Sequence, residues 1–203
     1  IENEGALDVQ TSAKKAVSRA EWRIDQALVG ISGLSSASIE SCSDVDLGEL
    51  RRVVMTITPV KELSIIGPDG EVRCAHLGLG GETQMVSREV ETAGDANVRL
   101  AVVRVPDRHL RGLRIRWHRA SEPLSLAALL PADMFLPDND MGSGATDPGI
   151  RIMLAEGTLI VGGGPSAADD DGSDRLYGRV ESTRYPIVAT ASISLSRLMS
   201  DRR

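Results

Sequence analysis

Through the first 38 residues, Val17, Ala20, Ile24, Ala27, Leu28, Ile31 and Leu34 recur mostly at steps of three and four. That spacing aligns them on one face of an amphipathic helix. Lys14, Arg19, Arg23, Asp25 and Gln26 take much of the other face. Gly30 and Gly33 weaken the last turns, and Ser35, Ser36 and Ser38 mark where regularity ends. The apolar face is expected to cover the domain's own sheet. The more polar stretch 1–15 is expected to reach toward a membrane or to pair with a second subunit.

A shorter helix follows, with Ser43 or Asp44 as its cap, Asp46 and Glu49 favouring its first turns, and Leu47, Leu50, Val53 and Val54 on its apolar face. Pro59 closes it. Residues 60–66 are strand-like, with Leu63 and Ile65 on one face and Glu62 and Ser64 on the other. Gly67-Pro68-Asp69-Gly70 then forms a turn: proline presets the first corner, and glycine tolerates positive φ at the last. Residues 71–76 return as a strand. Two-residue alternation puts Val72, Cys74 and His76 on one face and Glu71, Arg73 and Ala75 on the other. Leu63, Ile65 and Val72 are expected to be buried.

The rest alternates short strands with turns. Strands are predicted at 98–105 and 125–130. Between them Leu113, Ile115 and Trp117 alternate with Arg114, Arg116 and His118, as in a sheet with one wet face. A helical turn over 132–136 and a Gly/Asp/Pro loop over 138–149 follow. A hairpin of 150–154 with 158–161 turns at Glu156-Gly157. Residues 162–173 are low-complexity, 175–181 and 187–194 are closing strands, and 195–199 leave as a helical turn. Helices first and hairpin-connected strands afterwards predict an α+β fold, a long N-terminal helix packed on an antiparallel sheet. We read residues 1–203 as a single domain, with 1–38 as the leading helix and 39–203 as the core that follows it.

Composition narrows the functions. Aromatic residues make up 2% of the 203 residues, so the core is aliphatic. A net charge of −6 gives no general reason to bind nucleic acid, whose affinity comes largely from Lys and Arg on phosphates. Apolar runs such as 124–130 are strand-sized, far short of the roughly 18 residues that span a bilayer. The chain starts at Ile1 rather than Met, so it is expected to be a fragment of a longer protein. Two cysteines, Cys42 and Cys74, fit either one disulfide or two unrelated thiols, and their spacing is not that of a metal site.

The stretch Glu40-Ser41-Cys42-Ser43-Asp44-Val45-Asp46-Leu47-Gly48-Glu49-Leu50-Arg51-Arg52, continuing through Val60-Lys61-Glu62-Leu63 and the Asp69-Gly70 turn to Cys74, resembles a known motif. It is similar to the CSS-motif sensor domain at the N-terminus of bacterial cyclic di-GMP phosphodiesterases. The resemblance is specific over about 38–78; elsewhere it rests on the order of elements. It implies a PAS- or Cache-like sheet and a periplasmic domain between two transmembrane helices of the same protein, followed by a cytoplasmic EAL catalytic domain. It also implies a Cys42–Cys74 disulfide. One departure is plain: the family's Cys-Ser-Ser reads Cys74-Ala75-His76 here.

Under this resemblance the disulfide is either a redox-responsive signal, with periplasmic thiol–disulfide machinery as a partner, or a structural staple. Loop entropy gives about 3.5–4 kcal/mol for a separation of 32 residues, enough for a staple by itself. His76 is a candidate modulator, because an imidazolium near Cys74 would favour the thiolate; the plainer alternative is a strand-edge histidine bonded to backbone. Asp169, Asp170, Asp171 and Asp174 lack the ligand spacing of a calcium loop, since Asp174 stands where its glycine belongs. Gly162-Gly163-Gly164-Pro165 lacks the Lys-Ser/Thr of a phosphate loop. His76, His109 and His118 have no hydrolytic motif around them. The domain is therefore read as a non-enzymatic signal-input module without cofactor or metal, with a homodimer as an open arrangement. The rival readings are a Cache-like small-molecule sensor with an inert disulfide and a secreted structural or adhesion domain.

Overall fold

The computed structural model describes residues 2–35, 39, 41–78, 83–105, 110–118, 122–136, 149–163 and 175–195. The acidic run from Asp169, most of the Gly-rich stretch from Gly162, the loop at 138–148, His109 and the turn at 196–199 lie outside the described residues.

Helix α1 spans Glu2–Ser35, 34 residues or about 51 Å at 1.5 Å per residue. Its buried face runs from Val9 to Leu34: Val9, Ala13, Ala16, Val17, Ala20, Ile24, Ala27, Ile31 and Leu34 are all buried. The polar upstream stretch is thus packed on the domain itself. Gly178 makes this possible, because a Cβ there would meet the Val9 and Gln10 backbone at 2.6–2.7 Å. Gln10 also donates to the Arg179 carbonyl. Alanines on the helix face and a glycine on the strand allow an approach that larger side chains would block.

Helix α2, Asp44–Val54, is capped by Ser43 and buries Leu50 and Val53. It ends at Val54 rather than at Pro59, with Met55 as its C-cap. A Cβ on Gly30 of α1 would collide with the Ile57 side chain just beyond α2, so the helices meet closely there.

The strands form two antiparallel sheets rather than one. The first is ordered β2-β1-β7-β6-β5-β3, with β4 also paired to β5. Its strands are β1 (Glu62–Ile66), β2 (Val72–Ala75), β3 (Gln84–Met85), β4 (Val90–Glu91), β5 (Val98–Val105), β6 (Leu110–His118) and β7 (Ser125–Pro131). The two-residue strands β3 and β4 carry too little periodicity to be read from sequence. A 3-10 turn, Ala132–Phe135, buries the chain's one phenylalanine. The second sheet is ordered β10-β11-β8-β9, from β8 (Gly149–Leu154), β9 (Leu159–Gly162), β10 (Arg175–Glu181) and β11 (Ile187–Ser194). Helix α1 lies against both sheets, and one hydrophobic cluster runs from Val9 and Ile193 through Ile24 to Leu63 and Leu100. The α+β architecture, with its long leading helix packed on antiparallel strands, is present.

Glu62 and Ser64 lie on the face opposite Leu63 and Ile65, as expected, and are buried like them. Two expectations about faces need correction. Arg114 and Arg116 are not a wet face, since their side chains are only 12% exposed. Finally, β2 carries a bulge: Ile65 pairs with Cys74 but Ile66 pairs with Val72, leaving Arg73 extra. The extra residue reverses the alternation. Cys74 stays with Ile65 on the α1 side, packed on the main core, whereas Val72 joins Ile66 on the opposite face and is only half-buried.

Candidate functional site

Cys42 and Cys74 are bonded, with Cα atoms 5.9 Å apart, inside the range a disulfide spans. The two ends are held differently. Cys74 lies on β2, the edge strand of the first sheet, and is half-buried. The hairpin delivers it there: Gly70 donates to the Gly67 carbonyl at 3.0 Å and adopts φ +85, as the Gly-Pro-Asp-Gly turn requires.

Cys42 is exposed and sits immediately before the α2 cap. Ser43 Oγ accepts from the Asp46 amide at 3.2 Å. The Asp46 carboxylate reaches back past the cap, where its Oδ2 accepts from the Ser41 amide at 3.1 Å and the Ser41 hydroxyl at 2.9 Å. This extends the capping-box logic by two residues. Cys42 is thereby clasped between two serines tied to one aspartate. Burial opposes ionisation of Asp46, but the hydrogen bonds from Ser41 and Ser43 outweigh it and hold the carboxyl below its usual value. Ser41 was not singled out from sequence, although Ser43-x-x-Asp46 has the pattern of a cap.

His76 follows the end of β2. Its amide donates to the Leu63 carbonyl at 3.2 Å, and its Nδ1 lies 3.1 Å from the Leu63 amide. Nδ1 also lies 3.4 Å from the Leu63 carbonyl, so it accepts from the amide or donates to the carbonyl according to its tautomer. Burial pushes the imidazole below the usual histidine value; hydrogen bonding to Leu63 opposes this and the Arg51 charge adds to it. The ring closes the β1–β2 ladder where the family's second serine would stand.

From this disulfide-bearing end, α1 leads to the second sheet. Midway it is fastened to the β10–β11 turn. Arg184 makes two hydrogen bonds to Asp25, at 2.6 and 2.9 Å, and the Tyr185 hydroxyl donates to Asp25 Oδ1 at 2.5 Å. Ser182 donates to Glu21 at 2.6 Å. Burial, with the Asp25 hydrogen bond next, raises the Tyr185 phenol well above its ordinary value. A shift of α1 along its axis would therefore be felt at this turn.

Residues 6–112, just over half of the chain, match the sequence model of a family described as the CSS motif domain associated with EAL. The match extends well beyond the 38–78 window. No curated protein sequence matches the chain significantly. Among solved structures, the chain is similar to the ligand-binding domain of the Pseudomonas aeruginosa PAO1 amino acid chemoreceptor PctB, with a TM-score of 0.60 and 10% identity over 93% of this chain and 90% of that one. The extracellular domain of rpHK1S-Z16, described as a histidine kinase, gives 0.51 and 12% over 98% and 95%. An extracellular ligand-binding receptor from Desulfohalobium retbaense gives 0.52 and 9% over 94% of this chain, which spans 40% of that receptor.

Proposed function

We propose, from the premise that the chain belongs to the CSS-motif family of domains associated with EAL, that it is a periplasmic signal-input domain. Its Cys42–Cys74 disulfide regulates a cytoplasmic cyclic di-GMP phosphodiesterase across the membrane. The observation that carries this reading is the placement of the bond. It ties an exposed cysteine at the start of α2 to an edge strand, where a thiol reagent can reach it, rather than lying within the core. Periplasmic thiol–disulfide machinery is the partner class with the right chemistry.

A signal needs two states of different free energy. Opening the bond frees the segment before α2 from β2, while α2 remains packed against α1 near Gly30. Any shift is then carried along α1, past Asp25, to the second sheet. The continuous core supports treating 1–203 as one sensory unit. His76 enters as a modulator only when protonated, which its environment disfavours at neutral pH.

The test is phosphodiesterase output of the complete membrane protein carrying Cys42→Ser or Cys74→Ser. Both remove the same bond, so both should shift output in the same direction, and mild thiol reduction of the unaltered protein should reproduce that shift. Opposite shifts, or no change in a protein that stays intact, would leave the disulfide as a staple.

A further inference from the structure

The disulfide presents two unlike sulfurs. Cys42 is exposed, in the short segment that enters α2. Cys74 is half-buried and packed against the main hydrophobic core, on the face of β2 that it shares with Ile65 of β1. A thiolate opens a disulfide by approaching in line with the S–S bond, from behind the sulfur it attacks, and access helps to decide which of the two is struck. Cys42 is open to solvent, whereas the core lies against Cys74. Val45, three residues on from Cys42, is 75% exposed, and Leu77, three residues on from Cys74, is 52% exposed. A partner that reaches Cys42 therefore finds uncovered apolar side chains close by in the chain.

Neither cysteine relies on the bond alone for its position. Cys42 is placed by Ser41 and Ser43, both tied to Asp46. Cys74 is placed by its pairing with Ile65 and by the His76 amide, which donates to the Leu63 carbonyl at 3.2 Å. None of these contacts uses a sulfur. The reduced chain therefore keeps its two thiols near one another. The Cα spacing of 5.9 Å in the bonded form is one from which the bond closes without backbone movement.

We propose that Cys42 is the exchange cysteine, through which a dithiol protein oxidoreductase both opens and closes the bond, and that Cys74 is the resolving cysteine. In opening, a thiolate of the partner attacks Cys42 Sγ. A bond forms between those two sulfurs, the Cys42–Cys74 bond breaks, and Cys74 leaves with the electron pair and takes a proton from water. The partner's second thiol gives its proton to water and attacks the partner sulfur of this mixed disulfide. Cys42 is expelled as a thiolate and protonated. The partner departs as a disulfide, two electrons poorer, and the chain holds two thiols. Closing runs the same steps backward: the Cys42 thiolate opens the partner's disulfide, and the Cys74 thiolate attacks Cys42 Sγ and expels the reduced partner. The use of this selectivity in signalling rests on the redox reading above, but the selectivity itself is a property of the two sulfurs. Equal attack on both leaves the phosphodiesterase test undecided, and an unresponsive phosphodiesterase leaves the selectivity standing.

The experiment uses the unaltered chain, with glutathione as the thiol probe. The oxidised chain is treated with reduced glutathione, quenched with N-ethylmaleimide and digested, and each cysteine-containing peptide is identified by mass spectrometry. Glutathione on Cys42 with maleimide on Cys74 should exceed the reverse arrangement by about tenfold or more. Separately, the reduced chain receives a limiting amount of N-ethylmaleimide, and Cys42 should be alkylated about tenfold or more ahead of Cys74. Glutathione mainly on Cys74, or comparable modification of the two cysteines in either measurement, overturns the proposal. Comparable alkylation through unfolding of the reduced chain counts against it equally, because the resolving role requires Cys74 to stay covered. Where re-closure leaves no glutathione adduct, the alkylation ratio alone decides.

Discussion

Asp46 accepts two hydrogen bonds from Ser41 through one oxygen, Oδ2, from the amide at 3.1 Å and from the hydroxyl at 2.9 Å. Because Ser43 caps α2 against the Asp46 amide, the carboxylate and its own backbone hold both neighbours of Cys42. The position of the exposed half of the disulfide is thus set by the helix that follows it. Reduction therefore leaves Cys42 clasped to α2, and what is lost is the tie between that helix start and β2.

Asp46→Asn keeps the shape but loses the charge that binds Ser41. It should lower stability by about 0.5–2 kcal/mol, the usual effect of losing a cap interaction, in urea unfolding of the oxidised chain. Because hydrogen bonding depresses the Asp46 carboxyl, its contribution is present above the ordinary value of 3.8 and is lost as pH falls through the folded value. The acid limb of the stability curve should flatten in the variant. A limb identical to that of the unaltered chain would show that the clasp contributes nothing.

Removing the bond by Cys42→Ser or Cys74→Ser should reduce stability by about 3.5–4 kcal/mol, through the unfolded chain's freedom over the 32-residue separation. Amide exchange should rise at 41–54 and 72–76, while 98–105 and 187–194 change less. Uniform acceleration across all strands would mean that the bond acts on the fold as a whole and not on this junction.

His76 gives a pH signature of its own. Its folded pKa is depressed below 6.5, so the unfolded chain binds more protons in the window between the two values. Stability should therefore fall as pH drops from about 6.5 through the folded value, and His76→Gln should remove that part of the slope. Persistence of the slope in His76→Gln would assign it to another group.

Gly178→Ala tests the seating of α1. A Cβ at this position meets the Val9 backbone at 2.6 Å, and backbone cannot yield as a side-chain tip can. A loss of about 1–3 kcal/mol is expected from overpacking, with Val9 and Gln10 losing amide protection first. Gly33→Ala, where a Cβ meets nothing within 4 Å, should be stabilising or neutral. If the two alanines behave alike, close packing of α1 on β10 is not what holds the helix.

The elements legible in the chain were those whose cause is local. The apolar face from Val17 to Leu34 needs only a 3.6-residue period, the α2 start needs only Ser43 before Asp44 and Asp46, and the hairpin needs Pro68 and a glycine able to reach φ +85 at position 70. The motif around Cys42 and Cys74 likewise identified the family from residues alone. The rest depended on which surfaces meet. Alternation gave the wrong face for Val72 because an extra residue at Arg73 is visible only against its partner strand. Glu62, Ser64, Arg114 and Arg116 alternate with apolar residues just as exposed ones do, yet further chain covers them. The division into two sheets, the packing of Val9 and Gln10 on β10, and the meeting of Glu89 with Arg114 and Arg116 across 25 and 27 residues are non-local. Periodicity reports what a segment prefers by itself, whereas strand pairing and burial are set by free energies shared between distant segments, and only the folded chain brings those together.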